Sequence, residues 1–305
     1  MNILNLADPE KSEIGFKISN FPDGQQSITI EPKGYSFSTK IKNVEIKSRL
    51  NSFRDLELII CANQALLEMG AKYVTLYVPY FLGARSDRKF LTGSCNYLKT
   101  VICPIINSQN FTEVHVLDPH SDVLEACLNN YKKTSNHTLV SHAIVTSSSA
   151  AITFKEKCKQ VTLVSPDAGA LKKIYDVAEQ FGIEDIIVAS KHRDIATGRI
   201  THTDVPGLSR EDSLPKQFFI IDDICDGGRT FIELAKAIHV VRPKEIFNDT
   251  ITLVITHGIF SSGLKELNKL FDGIYTTNSI RPENDPNFSI QNDNELYKLN
   301  VYNIF

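Results

Sequence analysis

Short runs of branched and aromatic residues recur along the chain: VTLYV at 74–78, VHVL at 114–117, VTLVS at 161–165, IIVAS at 186–190, FFIID at 218–222 and ITLVI at 251–255. Each is too short for a helix and predicts a buried strand. Between some of them the period changes. Leu171, Ile174, Ala178 and Phe181 recur at spacings of three or four, while Lys172, Lys173, Glu179 and Gln180 fall largely on the other side, which predicts an amphipathic helix. A second helix is expected from about Thr230 to Ile238. Strands separated by helices predict an α/β fold, with mostly parallel sheets flanked by helices.

At 305 residues the chain is too long for one comfortable core, so two α/β domains are expected. The polar stretch YKKTSNH at 131–137 is a surface segment suited to the division, giving domains 1–135 and 136–305. No long Pro/Gly/Ser linker separates them, so the halves are expected to pack closely. The stretch from Arg281 to Asn294 reads as a polar loop. A net charge of -3 gives no general attraction to nucleic acid or anionic membrane, so any phosphate binding must come from local arrangement. Six scattered cysteines without C-x-x-C spacing weigh against a disulfide framework and a structural zinc site. No apolar stretch approaches a membrane span, and Asp8, Glu10 and Glu13 interrupt any signal core, so a reducing cytoplasmic compartment is expected.

The richest segment is FFIIDDICDGGRT at 218–230. An apolar strand delivers Asp222 and Asp223 at its C-terminal end, and Asp226, Gly227 and Gly228 form a turn into the helix near Thr230. Ligands of open α/β sheets sit at this end of the strands, and glycines let backbone N–H groups converge on an anion. The helix start adds unpaired N–H groups and a favourable dipole. The acids suit vicinal sugar hydroxyls, which donate to carboxylates, or Mg²⁺, which offsets their charge. Together they describe a sugar bearing both hydroxyls and phosphate. The competing reading makes the acids a capping turn and the glycines mere turn formers.

This segment resembles the phosphoribosyl diphosphate-binding motif of phosphoribosyltransferases and ribose-phosphate pyrophosphokinases. Further segments, colinear from about residue 20 to 280, resemble the second family in particular. The resemblance implies two phosphoribosyltransferase-like domains, the first contributing ATP-binding segments and the second a sugar-phosphate loop (Asp222, Asp223, Asp226, Gly227, Gly228, Arg229, Thr230) and a catalytic loop. YVPYFLGARSDRK at 77–89 is similar to the nucleotide-binding segment, implying ATP contacts from Arg85, Ser86, Asp87, Arg88 and Lys89; an exposed ion-paired loop is the alternative. LDPH at 117–120 and SPDAGALKK at 165–173 imply metal-associated His120 and Asp167, although Asp118 and His120 could form an ordinary turn and Asp167 could cap a helix. FPDGQ at 21–25 resembles the motif that approaches the adenine, usually of a neighbouring subunit, implying Phe21, Asp23 and Gln25 at a shared ATP site in a homo-oligomer. Phe21 could instead be core. ITHGIF at 255–260 and TTNSI at 276–280 match further landmarks. Lys191 and Arg193, in KHRDIATGRI, resemble the catalytic Lys/Arg pair of a mobile loop, and the polar stretch to about Lys216 could close over substrate; solvated loop charges are the alternative.

The implied reaction moves the β,γ-diphosphoryl group of ATP, with Mg²⁺, to the anomeric hydroxyl of ribose 5-phosphate, leaving AMP. Nucleic acid and membrane are not expected partners. The chain departs from the family pattern in three places. Where D-T-G-G-T or D-T-A-G-T is expected it has DGGRT, where R-Q-D-R-K is expected it has RSDRK, and Gln25 replaces an acid. Gly227 makes space beside the phosphate and Arg229 adds a cation, so a larger acceptor such as ADP-ribose is a second reading. An inactive regulatory subunit is a third.

Overall fold

The computed structural model describes the chain except residues 32–41, 90, 148–151, 194–199, 211–213, 287 and 289–297, and except the side chains of 191–193 and 200–202. It divides into two compact units, Met1–Ser135 with Phe305, and Asn136–Ile304.

The first unit holds β1 (Asn2–Asn5), β2 (Gly15–Asn20), β3 (Gln26–Glu31), β4 (Asn43–Lys47), β5 (Tyr73–Tyr77), β6 (Glu113–Leu117) and β7 (Tyr131–Thr134). Five of these form a parallel sheet in the order β1-β4-β5-β6-β7, while β2 and β3 pair as a separate antiparallel hairpin. Helix Phe53–Glu68 starts at a capping box, in which Ser52 and Asp55 each accept the other's backbone N–H. Its Leu56, Ile59, Ala62 and Leu66 share one core with Val44, Ile46, Val74 and Leu76. Phe305 belongs here: its carbonyl accepts from Lys11 Nζ (3.0 Å) and its ring meets Tyr77 edge-on. The polar stretch at 131–137 is more ordered than its composition suggests. It contains edge strand β7, and helix His137–Ser147 begins at its last residue.

The second unit holds β8 (Val161–Ser165), β9 (Ile186–Val188), β10 (Ser190–Arg193), β11 (Ile200–Asp204), β12 (Gln217–Cys225), β13 (Thr250–Gly258), β14 (Gly273–Thr277) and β15 (Leu299–Tyr302). Its parallel sheet runs β15-β14-β13-β12-β8-β9. From β8 the chain moves outward to β9, and from β12 it moves the other way. The order therefore reverses between β8 and β12, where a crevice opens at the strands' C-terminal ends. The run at 186–190 is divided: β9 stops at Val188, and Ser190 begins the antiparallel β10–β11 pair.

Strand β12 is covered on both faces, which is why its sequence is apolar without alternation. Phe218 and Ile220 pack into one core with Phe231, Leu234, Ala235 and Ile238 of helix Arg229–Val241. Phe219 and Ile221 pack into the other with Ile174, Val177 and Ala178 of helix Leu171–Phe181. That helix stops at Gly182, whose φ of 64° is the left-handed C-cap conformation. The stretch at 200–216 is anchored too. Val205 is buried, and Arg210 donates to the carbonyls of Val240 and Val241 at 2.7 Å each. Nor is the stretch at 281–294 wholly polar, because Phe288 is buried against Phe260.

Beneath this sheet Arg242 is fully buried. Its guanidinium donates to both Asp249 oxygens (2.7 and 3.0 Å) and to the carbonyls of Ser209 and Leu214, and it lies over the Phe247 ring. Such a pair tolerates joint replacement better than loss of one partner, which leaves a buried charge uncompensated. Arg242→Ala is expected to cost about 3–5 kcal/mol in urea unfolding followed by circular dichroism. A loss below about 1 kcal/mol, the range of an exposed pair, would contradict this account.

Candidate active site

The fold places the segments singled out by sequence at C-terminal strand ends. Asp167 lies just past β8, and Asp222 and Asp223 lie near the C-terminal end of β12, on the two sides of the strand reversal. The strand continues through Cys225, so the two acids are strand residues and not part of a turn.

Alternation along β12 separates the neighbouring carboxylates. Asp223 follows Phe219 and Ile221 toward the helix Leu171–Phe181 face, where Lys173 Nζ lies 3.4 Å from its Oδ1. Asp222 Oδ1 accepts the Asp223 backbone N–H at 2.9 Å. Burial holds the Asp222 carboxyl well above the usual carboxylate range, and the Asp223 charge and a hydrogen bond between the two carboxyls add to the effect; the Lys173 charge opposes them. Lys173 is the residue the sequence pattern misplaced. Helical spacing put it on the solvent side, yet its side chain is only 18% exposed and serves the acid pair. The signal that could have found it is the length of lysine itself, which reaches back from a flank position.

The loop after the acids becomes an anion nest. Gly228 is N-cap of helix Arg229–Val241 with φ 76°, and a Cβ there would also crowd Leu267 at 3.3 Å, so glycine is required twice over. The N–H groups of Gly227, Gly228, Arg229 and Thr230 have no hydrogen-bond acceptor among the described residues. Four unsatisfied donors at the start of a 13-residue helix suit phosphate oxygens. Arg229 is exposed and makes no ion pair among the described residues. Asp226 is engaged: its Oδ1 accepts the Ser261 hydroxyl at 2.5 Å and its carbonyl accepts the Ser261 N–H at 3.1 Å.

The remaining candidates differ in how far their side chains are free. Asp167 Oδ1 accepts the N–H groups of Gly169 (2.9 Å) and Ala170 (3.1 Å), so this oxygen closes the turn ahead of helix Leu171–Phe181, whose own N-cap Ala170 has no side-chain cap. In the first unit, Arg85, Arg88 and Lys89 are exposed after β5, with Ser86 half-buried. Asp87 is buried and paired with Arg88 at 2.9 Å. Its carboxyl is held below the usual range by that hydrogen bond, helped by Ser121 and by the nearby His120. Asp87 and His120 are thus brought together by the adjacent strands β5 and β6. Phe21, Asp23 and Gln25 form the exposed tip of the β2–β3 hairpin. Their hydrogen bonds are local: Asp23 Oδ1 accepts from Gln25 N, and Phe21 N donates to Gln25 O. Lys191 and Arg193 lie on β10, whose register against β11 shifts between His192 and Arg193, but their side chains are outside the described residues.

Among the described residues no three His, Cys, Asp or Glu side chains cluster as a metal cage. The pair Asp222/Asp223 nonetheless fits a hard dication: the donors are oxygen only, they repel one another, and Mg²⁺ is commonly held by one or two carboxylates with substrate phosphates completing the shell.

The acid pair has a consequence for stability. Folded Asp222 holds its proton to higher pH than the unfolded chain does, so ionising it as pH rises favours unfolding. In EDTA buffer, Asp222→Asn should therefore melt at a higher temperature than wild type at pH 8. The difference should shrink as pH falls toward about 4, the ordinary aspartate range. Equal melting temperatures across that window would mean that the carboxyl ionises in the fold without penalty.

Comparison with known proteins agrees with this geometry. The phosphoribosyl transferase domain family matches residues 141–257, a span that includes β8 through most of β13. Over 273 residues, 88% of this chain and 86% of the relative, the sequence is 26% identical to a ribose-phosphate pyrophosphokinase of Pyrococcus abyssi. A ribose-phosphate pyrophosphokinase of Saccharolobus solfataricus is 26% identical over 247 residues, 79% of this chain and 78% of the relative. The fold matches that of a phosphoribosylpyrophosphate synthetase from Mycobacterium smegmatis with a TM-score of 0.73 at 15% identity, covering 100% of this chain and 95% of that one. With the acid pair and glycine nest at the strand reversal, the chain is similar to ribose-phosphate pyrophosphokinases along most of its length, and its second unit matches the phosphoribosyl transferase domain.

Proposed function

We propose that the chain transfers the β,γ-diphosphoryl group of ATP to the anomeric hydroxyl of ribose 5-phosphate, giving 5-phosphoribosyl 1-diphosphate and AMP. The observation that carries this reading is the adjacency of two carboxylates and an unsatisfied helix N-terminus at one sheet end. The nest from Gly227 to Thr230 holds the 5-phosphate, and Asp222 and Asp223 accept from the ribose hydroxyls. Fixing the sugar at both ends directs its 1-hydroxyl, which attacks the β-phosphorus as AMP departs. Lys191 and Arg193 offset charge on the transferring group, and the exposed Arg85, Arg88 and Lys89 hold ATP phosphates. Asp87, buried under Arg88, sets the shape of that segment and does not itself meet ATP. On this reading Phe21, Asp23 and Gln25 meet the adenine of a second copy of the chain, which their exposure at a hairpin tip supports. A Mg²⁺ held by Asp222 and Asp223 would supply neutralisation of phosphate charge; Asp167 in the second unit and His120 in the first are the other metal-associated candidates, each within its own unit.

The test is an assay with ATP and Mg²⁺ that offers ribose 5-phosphate and ADP-ribose in parallel and reads AMP formation and product mass. AMP with 5-phosphoribosyl 1-diphosphate is expected, and excess EDTA should abolish both. Product formation that persists without metal would sink the reading, as would an active enzyme that makes neither product. Lys191→Ala should lower kcat at least about a hundredfold and leave the KM for ribose 5-phosphate within a fewfold, because its contact strengthens in the transition state. Wild-type turnover in both K191A and R193A would remove the loop from catalysis.

Arg229, exposed and without an ion pair among the described residues, favours a second acceptor, ADP-ribose, which carries an additional phosphate beyond the ribose phosphate. On that reading Arg229→Gly lowers kcat/KM for ADP-ribose about tenfold more than for ribose 5-phosphate, the weaker end of an arginine–phosphate contact. Equal proportional losses would assign Arg229 to the loop alone.

A further inference from the structure

Strand β13 ends at Gly258, where a Cβ would run into the Phe260 ring. The turn that follows lies along the phosphate loop. Ile259 and Phe260 N–H groups both donate to the Cys225 carbonyl (2.9 and 3.1 Å), and Ser261 is held twice by Asp226. Gly263 N closes the turn on the Phe260 carbonyl at 2.9 Å. Pinned in this way, the turn carries the next side chain, Ser262, to a defined place. A Cβ built on Gly227 would lie 3.1 Å from Ser262 Oγ.

Gly227 differs from Gly228 in a way that matters here. Its φ is outside the left-handed region, so its backbone does not require glycine. What a side chain there would meet is a hydroxyl from another strand's turn, close enough that one of the two must give by a few tenths of an ångström. Ser262 is exposed, and its hydroxyl makes no hydrogen bond among the described residues. A hydroxyl donor thus stands beside Gly227, the first of four residues whose N–H groups have no acceptor among the described residues, within 3.1 Å of where a Cβ at 227 would be.

Resting on the function proposed above, we infer that Ser262 is a substrate-binding residue: its hydroxyl donates to a phosphate oxygen of the sugar phosphate held in the 227–230 nest. Asp226 acts behind it as a positioning residue, fixing Ser261 and with it the turn. The glycine at 227 and the serine at 262 are then one device, a phosphate-binding hydroxyl moved from the loop to its neighbour.

Calorimetry with ribose 5-phosphate, without ATP, tests this apart from turnover. Ser262→Ala should bind about tenfold more weakly than wild type, the effect of one hydroxyl on a charged phosphate. Gly227→Thr should also bind weakly, because its Cβ crowds Ser262. The double variant G227T/S262G should recover to within about threefold of wild type, since it returns the hydroxyl to position 227 without the crowding, whereas independent losses would add. Thermal unfolding of each variant checks the fold. Wild-type affinity in S262A, or additive losses in the double variant, would overturn the inference and leave the proposed function standing. A wild-type protein that binds no ribose 5-phosphate would overturn both.

Discussion

Two carboxylates at consecutive positions in the most enclosed strand of the second unit are the constraint around which that unit is built. Strand β12 has helices on both faces and parallel neighbours on both edges, so its polar residues can meet solvent and ligand only at its C-terminal end. Even there Asp223 is buried and Asp222 resists ionisation. A well-packed apolar pair would be easier to fold. The carboxylates are a standing electrostatic cost that only a ligand able to donate to them or neutralise them offsets, which is the physical signature of a functional site. Lys173 supplies one opposing charge. It leaves the pair acidic enough to need something further.

Not every acid in the family-like segments belongs to the ligand. Asp87 is spent on Arg88, Asp167 Oδ1 on two backbone N–H groups, and Asp226 on Ser261. Each of these holds a loop in shape at a strand end. Loops carrying many polar groups in a small volume need such internal satisfaction, because an unpaired buried group costs more than a paired one contributes. Around the phosphate loop of the second unit, the groups with no partner among the described residues are donors: Arg229, the Ser262 hydroxyl and the N–H groups of the nest. A loop whose own acid is engaged and whose donors lack partners among the described residues selects anions, despite a net charge of -3 for the whole chain.

The α/β class was legible because parallel strands buried on two faces leave uninterrupted apolar runs, as FFII and ITLVI do. The end of β12 was less so. Sequence reading ended the strand at the first acid, since Asp is a poor strand former, but ladder pairing of Ile224 with His257 and Cys225 with Gly258 carries it three residues further. Lys173 was misread for a related reason: periodicity tells which way a Cβ points and not where a four-carbon stem ends. The stretch at 200–216 read as polar because its anchors are few and separate, Val205 to a core and Arg210 to helix-end carbonyls. Ser262 was invisible, because its meaning depends on Gly227, 35 residues away in sequence and adjacent only once β12 and β13 pair.

That dependence bears on how a divergent motif should be interpreted. Read along the chain, DGGRT lacks a hydroxyl at 227 and has an unexpected cation at 229. Read in space, the two changes differ in kind. The hydroxyl at 227 has a neighbour standing in its place, so the loop's donor count is preserved although its sequence is not. Arg229 has no such counterpart. It opens helix Arg229–Val241, faces solvent and meets no carboxylate among the described residues. A cation at a helix N-terminus opposes the helix dipole, so intrinsic helix energetics do not favour it there. A residue set against local helix preference, beside donors already sufficient for one phosphate, is what motivates the second acceptor proposed above. Within that proposal it is the acceptor, and not the chemistry of transfer, that sets this chain apart from its relatives.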